Sequence, residues 1–508
     1  MAGTLILAHD IGTTGNKASL YTGEGELLGS SFAPYGTHYP QVGWAEQNPL
    51  DWWDAVCVTS KELLAKTGVG PGQIACVTFS GQMMGCVPVD RGGAPLRNAI
   101  IWADMRAERE AAELLARMSM EDVYRRTGHR ISSSYSGAKI MWLKRHEPDV
   151  YRKTHKVLHA KDYLIARLTG RFVTDYSDAS GMNLFDLRGK CWDEAIIDAW
   201  GLDADKLPDP QPSTRVAGEV TAEAAEATGL APGTPVVVGG GDGCCAAAGV
   251  GVVTEGDAFN YIGSSSWIAI ASDEPIYDPE MKTYTWAHLD PAKYSPNGTM
   301  QAAGASLQWI RDQLYAMEHE QARRSGASVY DLMNRDAAVS KPGAGRLLYL
   351  PYIMGERSPR WNPKARGAFV GLHITHTRGD MVRAVMEGVA FNLKIVLDTF
   401  RKAGKTIDRM WMLGGGAKGR VWRQIMADVC GVTIRIPHLL DEATSMGAAM
   451  AGAVGVGLLR DFSAAKAWVR EVETVEPNER NRRIYEDMFA AFNDAYGQLC
   501  PVYDKLAD

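Results

Sequence analysis

One pattern constrains this chain more than any other feature, and it occurs twice. A short apolar strand runs into a turn built from Gly with Ser or Thr, and a second strand follows. The first copy is Leu5–Asp10, Gly12-Thr13-Thr14-Gly15 and Lys17–Tyr21, with a further strand at Leu27–Phe32. The second is Asp257–Ile262, Gly263-Ser264-Ser265-Ser266 and Trp267–Ser272. Just ahead of it come the strand Pro235–Gly239, the turn Gly239-Gly240-Gly241-Asp242-Gly243 and a small-residue helix, Cys244–Gly251. At 508 residues the chain is too long for one hydrophobic core and long enough for two. Two hairpins, one opening each half, predict a two-lobed molecule of related units. The boundary is expected near residue 250, giving lobes 1–250 and 251–508.

Between the hairpins, strands alternate with helices. Asn48 followed by Pro49 reads as an N-cap and first helical residue. β-rich runs at Ile74–Ser80, Cys86–Asp90 and Ala99–Trp102 precede helices from Arg106, from Lys139 to the stop at Pro148, and over Ala160–Leu168, which Gly170 ends. That alternation predicts an α/β architecture around a largely central sheet.

Charge narrows the partners. Lys and Arg number 54 against 60 Asp and Glu, a net charge of −6. Such a chain has no bulk electrostatic footprint for nucleic acid or anionic lipid. An anionic substrate must be held locally, by backbone amides, a metal ion and a few cations. No apolar run approaches the ~20 residues that cross a bilayer, and the N-terminus lacks the basic region of a signal peptide. Eight cysteines without a C-x-x-C fit free thiols in a reducing compartment, so a cytoplasmic location is expected.

Four glycine turns carry the candidate chemistry. In Asp10-Ile11-Gly12-Thr13-Thr14-Gly15-Asn16-Lys17 the glycines let backbone N–H groups point inward, a nest suited to phosphate oxygens. Thr13 and Thr14 add hydroxyl donors, Lys17 adds charge, and Asp10 is placed to hold a hydrated magnesium ion. The same residues also make an ordinary hairpin turn. Asp242, at a helix start among glycines, is either an N-cap or a general base approached closely by substrate. Gly263-Ser264-Ser265-Ser266 is a second phosphate loop or a polar hairpin. Gly414-Gly415-Gly416-Ala417-Lys418-Gly419 formally satisfies G-x-G-x-x-G between the strand Met410–Leu413 and the helix from Arg420. A dinucleotide reading would put Asp441 or Glu442 on a ribose, but no run of βαβ units follows; a turn against an adenosine uses the segment equally well.

Together and in this order, these motifs resemble the FGGY carbohydrate kinase family, within the larger actin-like ATPase (ribonuclease H-like) fold. Ser134–His146 resembles the family's first signature, and Gly367–Leu372 through Ala384–Glu387 its second. Gly81-Gln82-Met83-Met84-Gly85, Trp102-x-Asp104-x-Arg106 and Lys161-Asp162-Tyr163-Leu164 with Thr174-Asp175 are most similar to the xylulokinase branch.

The resemblance implies ATP-dependent phosphorylation of a sugar or polyol hydroxyl in a cleft between the lobes. The 1–250 lobe would hold the sugar, the first phosphate loop and the catalytic Asp; the 251–508 lobe would bind nucleotide. Asp242 would be the base and Asp10 the magnesium-side carboxylate. Thr13, Thr14 and Lys17 with Gly263 and Ser264 would contact the ATP phosphates. Gly304 and Gln308 would border the nucleotide, and Gly415, Gly416 and Ala417 would lie against the adenosine. Met83, Met84, Asp104 and Asp242 would line the sugar pocket.

The implied partners are ATP with Mg2+ and a small-molecule sugar, with no nucleic acid and no membrane; assembly as a homodimer is left open. The acceptor implied is a ketopentose, D-xylulose, with ribulose, erythritol, glycerol or gluconate as alternatives. From another class, the alternative is an actin- or chaperone-like ATPase with a protein partner. Two positions depart from the xylulokinase pattern: Met84 where Met-His is usual, and Gly243 where Asn usually follows the catalytic Asp.

Overall fold

The computed structural model describes residues 4–507. Two seven-stranded sheets carry the fold, one in each half of the chain. In the first, Leu5–Ile11, Gly15–Tyr21 and Leu27–Pro34 form an antiparallel meander. Ile74–Gly81 then runs parallel to Leu5–Ile11, and Pro235–Val237 and Val216–Glu219 complete that edge. The second sheet repeats the plan. Ala258–Ile262, Ser266–Ile270 and Tyr294–Met300 form the meander, with Tyr284–Ala287 added at its edge. Arg409–Leu413 and Thr433–Pro437 follow in parallel, and Glu471–Val475 closes antiparallel. The paired hairpins of the sequence are the seeds of these two related sheets.

Local signals set many of the boundaries. The Asn48 side chain accepts from the Leu50 N–H, Pro49 starts the helix Pro49–Thr67, and Gly68 ends it in the left-handed conformation. Gly170, at φ 71°, stops Ala160–Thr169 in the same way. The signature helix begins at Ser136, three residues before Lys139, and runs to His146. Between the second and third long strands of the first sheet's parallel edge, the chain leaves for a satellite region. There short helices and two-stranded sheets gather around Ile100, Leu114, Leu143, Leu184 and Trp200.

The halves are joined by more than the cleft. The helix Ala443–Gly455 follows the second sheet in sequence, yet it packs on Leu5–Ile11 and Ile74–Gly81 of the first and crosses the helix Asp242–Gly249. The crossing is backbone to backbone: a Cβ on Gly249 would lie 1.9 Å from the Ala443 carbonyl, and one on Gly447 would lie 1.9 Å from that of Cys245. Only glycine allows this approach. All eight cysteines are free, and no helix of the described residues is long and apolar enough to cross a membrane.

Candidate active site

Three strand ends bring the carboxylates together. Leu5–Ile11 and Ile74–Gly81 run parallel and finish side by side, Ile11 against Gly81, and Gly240–Gly241 extends the sheet beside Gly81. Asp10 therefore lies at the carboxyl edge of one strand, and Asp242 starts the helix leaving another, at the edge where open α/β sheets bind ligands. Both line a cavity of about 310 Å³ with Gly12, Gly414, Gly415 and Thr444. The stacked rings of Tyr261 and Trp267, centroids 4.3 Å apart, form part of its wall.

The electrostatics are those of a site built for charge. Burial pushes the Asp242 carboxyl up to about 7, and the negative charge of Asp10 pushes in the same direction. Burial likewise raises Asp10 above the usual carboxylate range, opposed by hydrogen bonding from Thr444 and by the charge of Lys17. Asp10 Oδ2 accepts from the Thr444 hydroxyl at 2.7 Å, while its buried Oδ1 has no partner. An unpartnered carboxylate oxygen beside a second carboxylate and a hydroxyl is a hard-oxygen set that fits a divalent cation such as magnesium. Asp242 is not the N-cap of its helix. Gly241 takes that place, and Asp242 Oδ1 accepts only from the adjacent Gly243 N–H, at 2.7 Å.

A second cavity, of about 470 Å³, opens in the second half. Gly263, Ser264, Gly304, Gln308, Gly415 and Gly416 all line it, joined by the apolar Leu307 and Trp422. Ala417 is fully buried beside it, in the short 3-10 turn Gly415–Lys418. Gly415 belongs to both cavities. The two cavities therefore adjoin at Gly415, with Gly304 lining the second and Asp10 and Asp242 the first.

Other expected residues sit around this axis. Thr13 Oγ1 accepts from the Trp102 indole N–H at 3.0 Å, and Thr14 is exposed in the same turn. Lys17 reaches across to the second half, pairing with Glu442 at 2.7 Å and donating to the Asp441 carbonyl at 3.0 Å. Met83 is buried against Gly241, one residue before Asp242. Met84, half-buried at φ 61°, lies beside Gly181 near Trp286. Asp104 is fully buried: it takes up the Arg106 guanidinium at 2.7 Å and accepts the Ala45 N–H at 2.6 Å, so both carboxylate oxygens are held by protein donors.

Sequence reasoning missed two groups. Thr444, 434 residues from Asp10, carries no local signal beyond a hydroxyl at the start of a small-residue helix. The other is the joining of Lys161, Asp162 and Asp175, known from the sequence only as motif residues, with Asp178 in a buried network under the Asp242 turn. Lys161 pairs with Asp162 (2.6 Å), Asp175 (2.9 Å) and Asp178 (3.1 Å). Ser177 Oγ donates to Asp175 and accepts the Gly241 N–H at 2.9 Å. His159, Asp162 and Asp178 are grouped closely enough to suggest a metal site, but the Lys161 ammonium already supplies the positive charge there.

Two adjoining cavities, one lined by the glycine turns and one by the two carboxylates, lie on two related seven-stranded sheets, the plan of the two-lobed actin-like ATPase fold. Family models agree: the FGGY family of carbohydrate kinases, N-terminal domain, matches residues 5–249, and its C-terminal domain matches residues 258–456. The chain belongs to the FGGY family of carbohydrate kinases and is an ATP-dependent sugar kinase. It is 31% identical to a gluconokinase of Bacillus licheniformis over 504 residues, covering 99% of this chain and 98% of the relative. It is 32% identical to a xylulose kinase of Staphylococcus epidermidis over 502 residues, covering 98% and 97%. Among solved structures, xylulose kinase from Rhodospirillum rubrum is similar at a TM-score of 0.91 and 32% identity, covering 98% of this chain and 100% of that one.

Proposed function

We propose that this kinase transfers the γ-phosphate of ATP to a hydroxyl of a ketopentose, D-xylulose, with Asp242 as general base and a magnesium ion on the Asp10 side. The reading is supported by Gly415, which lines both the cavity that would take the nucleotide and the cavity that holds the two carboxylates. The acceptor assignment is supported by the segments around Met83, Asp104 and Lys161 and by the likeness to xylulose kinases over nearly the whole chain. Similarity of the same extent to a gluconokinase favours a sugar acid as the second reading.

In this mechanism the acceptor oxygen bonds to the γ-phosphorus as the bond to the β–γ bridging oxygen breaks and ADP leaves. The acceptor's proton passes to Asp242, whose raised affinity for protons suits a base working near neutrality. Phosphoryl transfer asks mainly for positioning and charge stabilisation. Gly12, Thr13, Thr14, Gly263 and Ser264 would supply backbone and hydroxyl donors to the phosphates. Gly304, Gln308, Gly415, Gly416 and Ala417 would hold the nucleoside. Lys17, which donates to the Asp441 carbonyl, would add positive charge toward the phosphates. Magnesium, held by Asp10, would neutralise phosphate charge.

Residues 1–250 would bring the sugar and residues 251–508 the nucleotide, so that closure excludes water, the competing acceptor. The free cysteines support a reducing, cytoplasmic setting. The test is a coupled ADP-release screen over D-xylulose, D-ribulose, erythritol, glycerol and D-gluconate. D-Xylulose is expected to give the highest kcat/KM. A higher value for D-gluconate would replace the ketopentose by a sugar acid, and acceptor-independent ADP release would point to an ATPase with another partner.

A further inference from the structure

The signature helix Ser136–His146 contains a charge that the proposed chemistry does not use. Lys139 is fully buried near the start of that helix. Its ammonium donates to three backbone carbonyls: Met84 at 2.8 Å, Ile101 at 2.8 Å and Ser134 at 2.7 Å. All three of its protons are thus spent on main chain from three separate segments. Burial pushes this amine down to about 7, and the most favourable nearby charge is that of Asp104. A cation kept in such a place is costly unless its bonds are well made.

The three carbonyls belong to segments around the site. Met84 holds a left-handed backbone, at φ 61°, that a side-chain-bearing residue adopts only when its surroundings enforce it. Its neighbour Met83 packs on Gly241, next to the base. Ile101 directly precedes Trp102, whose indole bonds to Thr13 in the first phosphate loop. Ser134 opens the signature segment. The same helix adds a second tie: Ser136 Oγ donates to the Gly85 carbonyl at 2.7 Å. One helix end therefore gathers the left-handed Met84, its neighbour Gly85 and the turn that follows the strand Ala99–Ile100.

We propose that Lys139 is a positioning residue for the acceptor, its ammonium clamping the Met84, Ile101 and Ser134 carbonyls so that the apolar wall at Met83 and Met84 keeps one shape. The inference rests on the reading in which those methionines face the sugar. It assigns the Lys of the signature helix to acceptor fit, and it explains why Asp104 is turned inward: its charge, held by Arg106, lies where it favours the buried ammonium. Losing the clamp would free Met84 to leave its left-handed conformation, loosening the acceptor wall while leaving the nucleotide cavity in the other half untouched.

The test compares Lys139→Met and the milder Lys139→Gln with wild type, measuring acceptor kcat and KM across the same panel of acceptors and ADP affinity by calorimetry. ADP affinity, read on the soluble fraction, also reports that each variant is folded. A clamp on the acceptor wall raises acceptor KM by about tenfold or more and changes the ratio of kcat/KM between acceptors, with ADP affinity within about twofold of wild type. A merely structural lysine lowers the active fraction instead. Equal loss of kcat for every acceptor at unchanged KM, or loss of ADP binding in both variants, overturns the proposal. Met84→Ala separates the two ideas. An altered acceptor profile in Met84→Ala alone overturns the clamp and keeps the pocket; an unaltered profile in all three variants overturns the pocket reading, and the clamp with it.

Discussion

Replacing Asp242 by Asn separates chemistry from folding unusually well, because this carboxylate contributes little to the fold. It does not cap its helix, and its one bond is to the adjacent Gly243 amide. A first-turn carboxylate is worth ~0.3–1 kcal/mol against the helix dipole. Set against that gain, the charge of Asp10 and burial both disfavour ionised Asp242, so its removal relieves a repulsion. Asp242→Asn is therefore expected to change stability by under about 1 kcal/mol in either direction. Loss of a general base costs about 10²–10⁴ in rate, which is about 2.7–5.4 kcal/mol of activation free energy. Three assays decide: coupled ADP release at saturating ATP and D-xylulose, thermal unfolding, and ADP binding. The expected result is a kcat lowered at least about a hundredfold, with unfolding and ADP affinity nearly unchanged. A folded Asp242→Asn protein whose kcat is within about threefold of wild type would refute the base assignment.

The remaining expectations concern the partners of that residue. For wild type, kcat/KM should fall as pH drops, because the base must be ionised; the acid limb should lie at or below about 7, and a limb well above it would count against Asp242. Asp10→Asn should collapse turnover and raise the magnesium midpoint, since a neutral amide is a poorer ligand for a hard cation; unchanged midpoint and turnover would leave Asp10 a turn residue. Thr444→Val removes the hydroxyl on Asp10 Oδ2 and should raise the magnesium midpoint severalfold without shifting acceptor KM. Gly304→Ala would put a Cβ 2.3 Å from the Gly263 carbonyl, so the proposed nucleotide cavity must deform; ADP affinity should fall about tenfold or more while acceptor KM holds.

The parts of the molecule written in local sequence were the parts legible from it. The two Gly/Ser hairpins announced two related sheets, and Asn48-Pro49 and Gly170 marked helix ends through side-chain and backbone geometry that needs no distant partner. Gly263, Ser264, Gly415 and Gly416 stood out in short glycine turns, Gly304 and Gln308 came only with the family resemblance, and the structure gathers all six around one cavity. What stayed hidden depends on contacts between remote segments. The helix Ala443–Gly455 is mostly small and apolar, with no polar stripe to say which face packs on the first sheet. Asp104 sits in a motif that suggests a sugar contact, yet whether its carboxylate faces the pocket or Arg106 is decided by packing two residues away. The pairing of Asp209–Gln211 with Val173–Asp175 has no turn between its strands to betray it.

The central claim is that the phosphoryl group reaches a sugar hydroxyl rather than water, and γ-labelled ATP tests it directly. With D-xylulose present, phosphate transfer can be followed by separating labelled sugar phosphate from labelled inorganic phosphate over one time course. The account predicts that nearly all of the label lost from ATP appears in the sugar phosphate, one per ADP formed, and that little is released without acceptor. Label accumulating as inorganic phosphate, at a rate indifferent to every sugar offered, would contradict it.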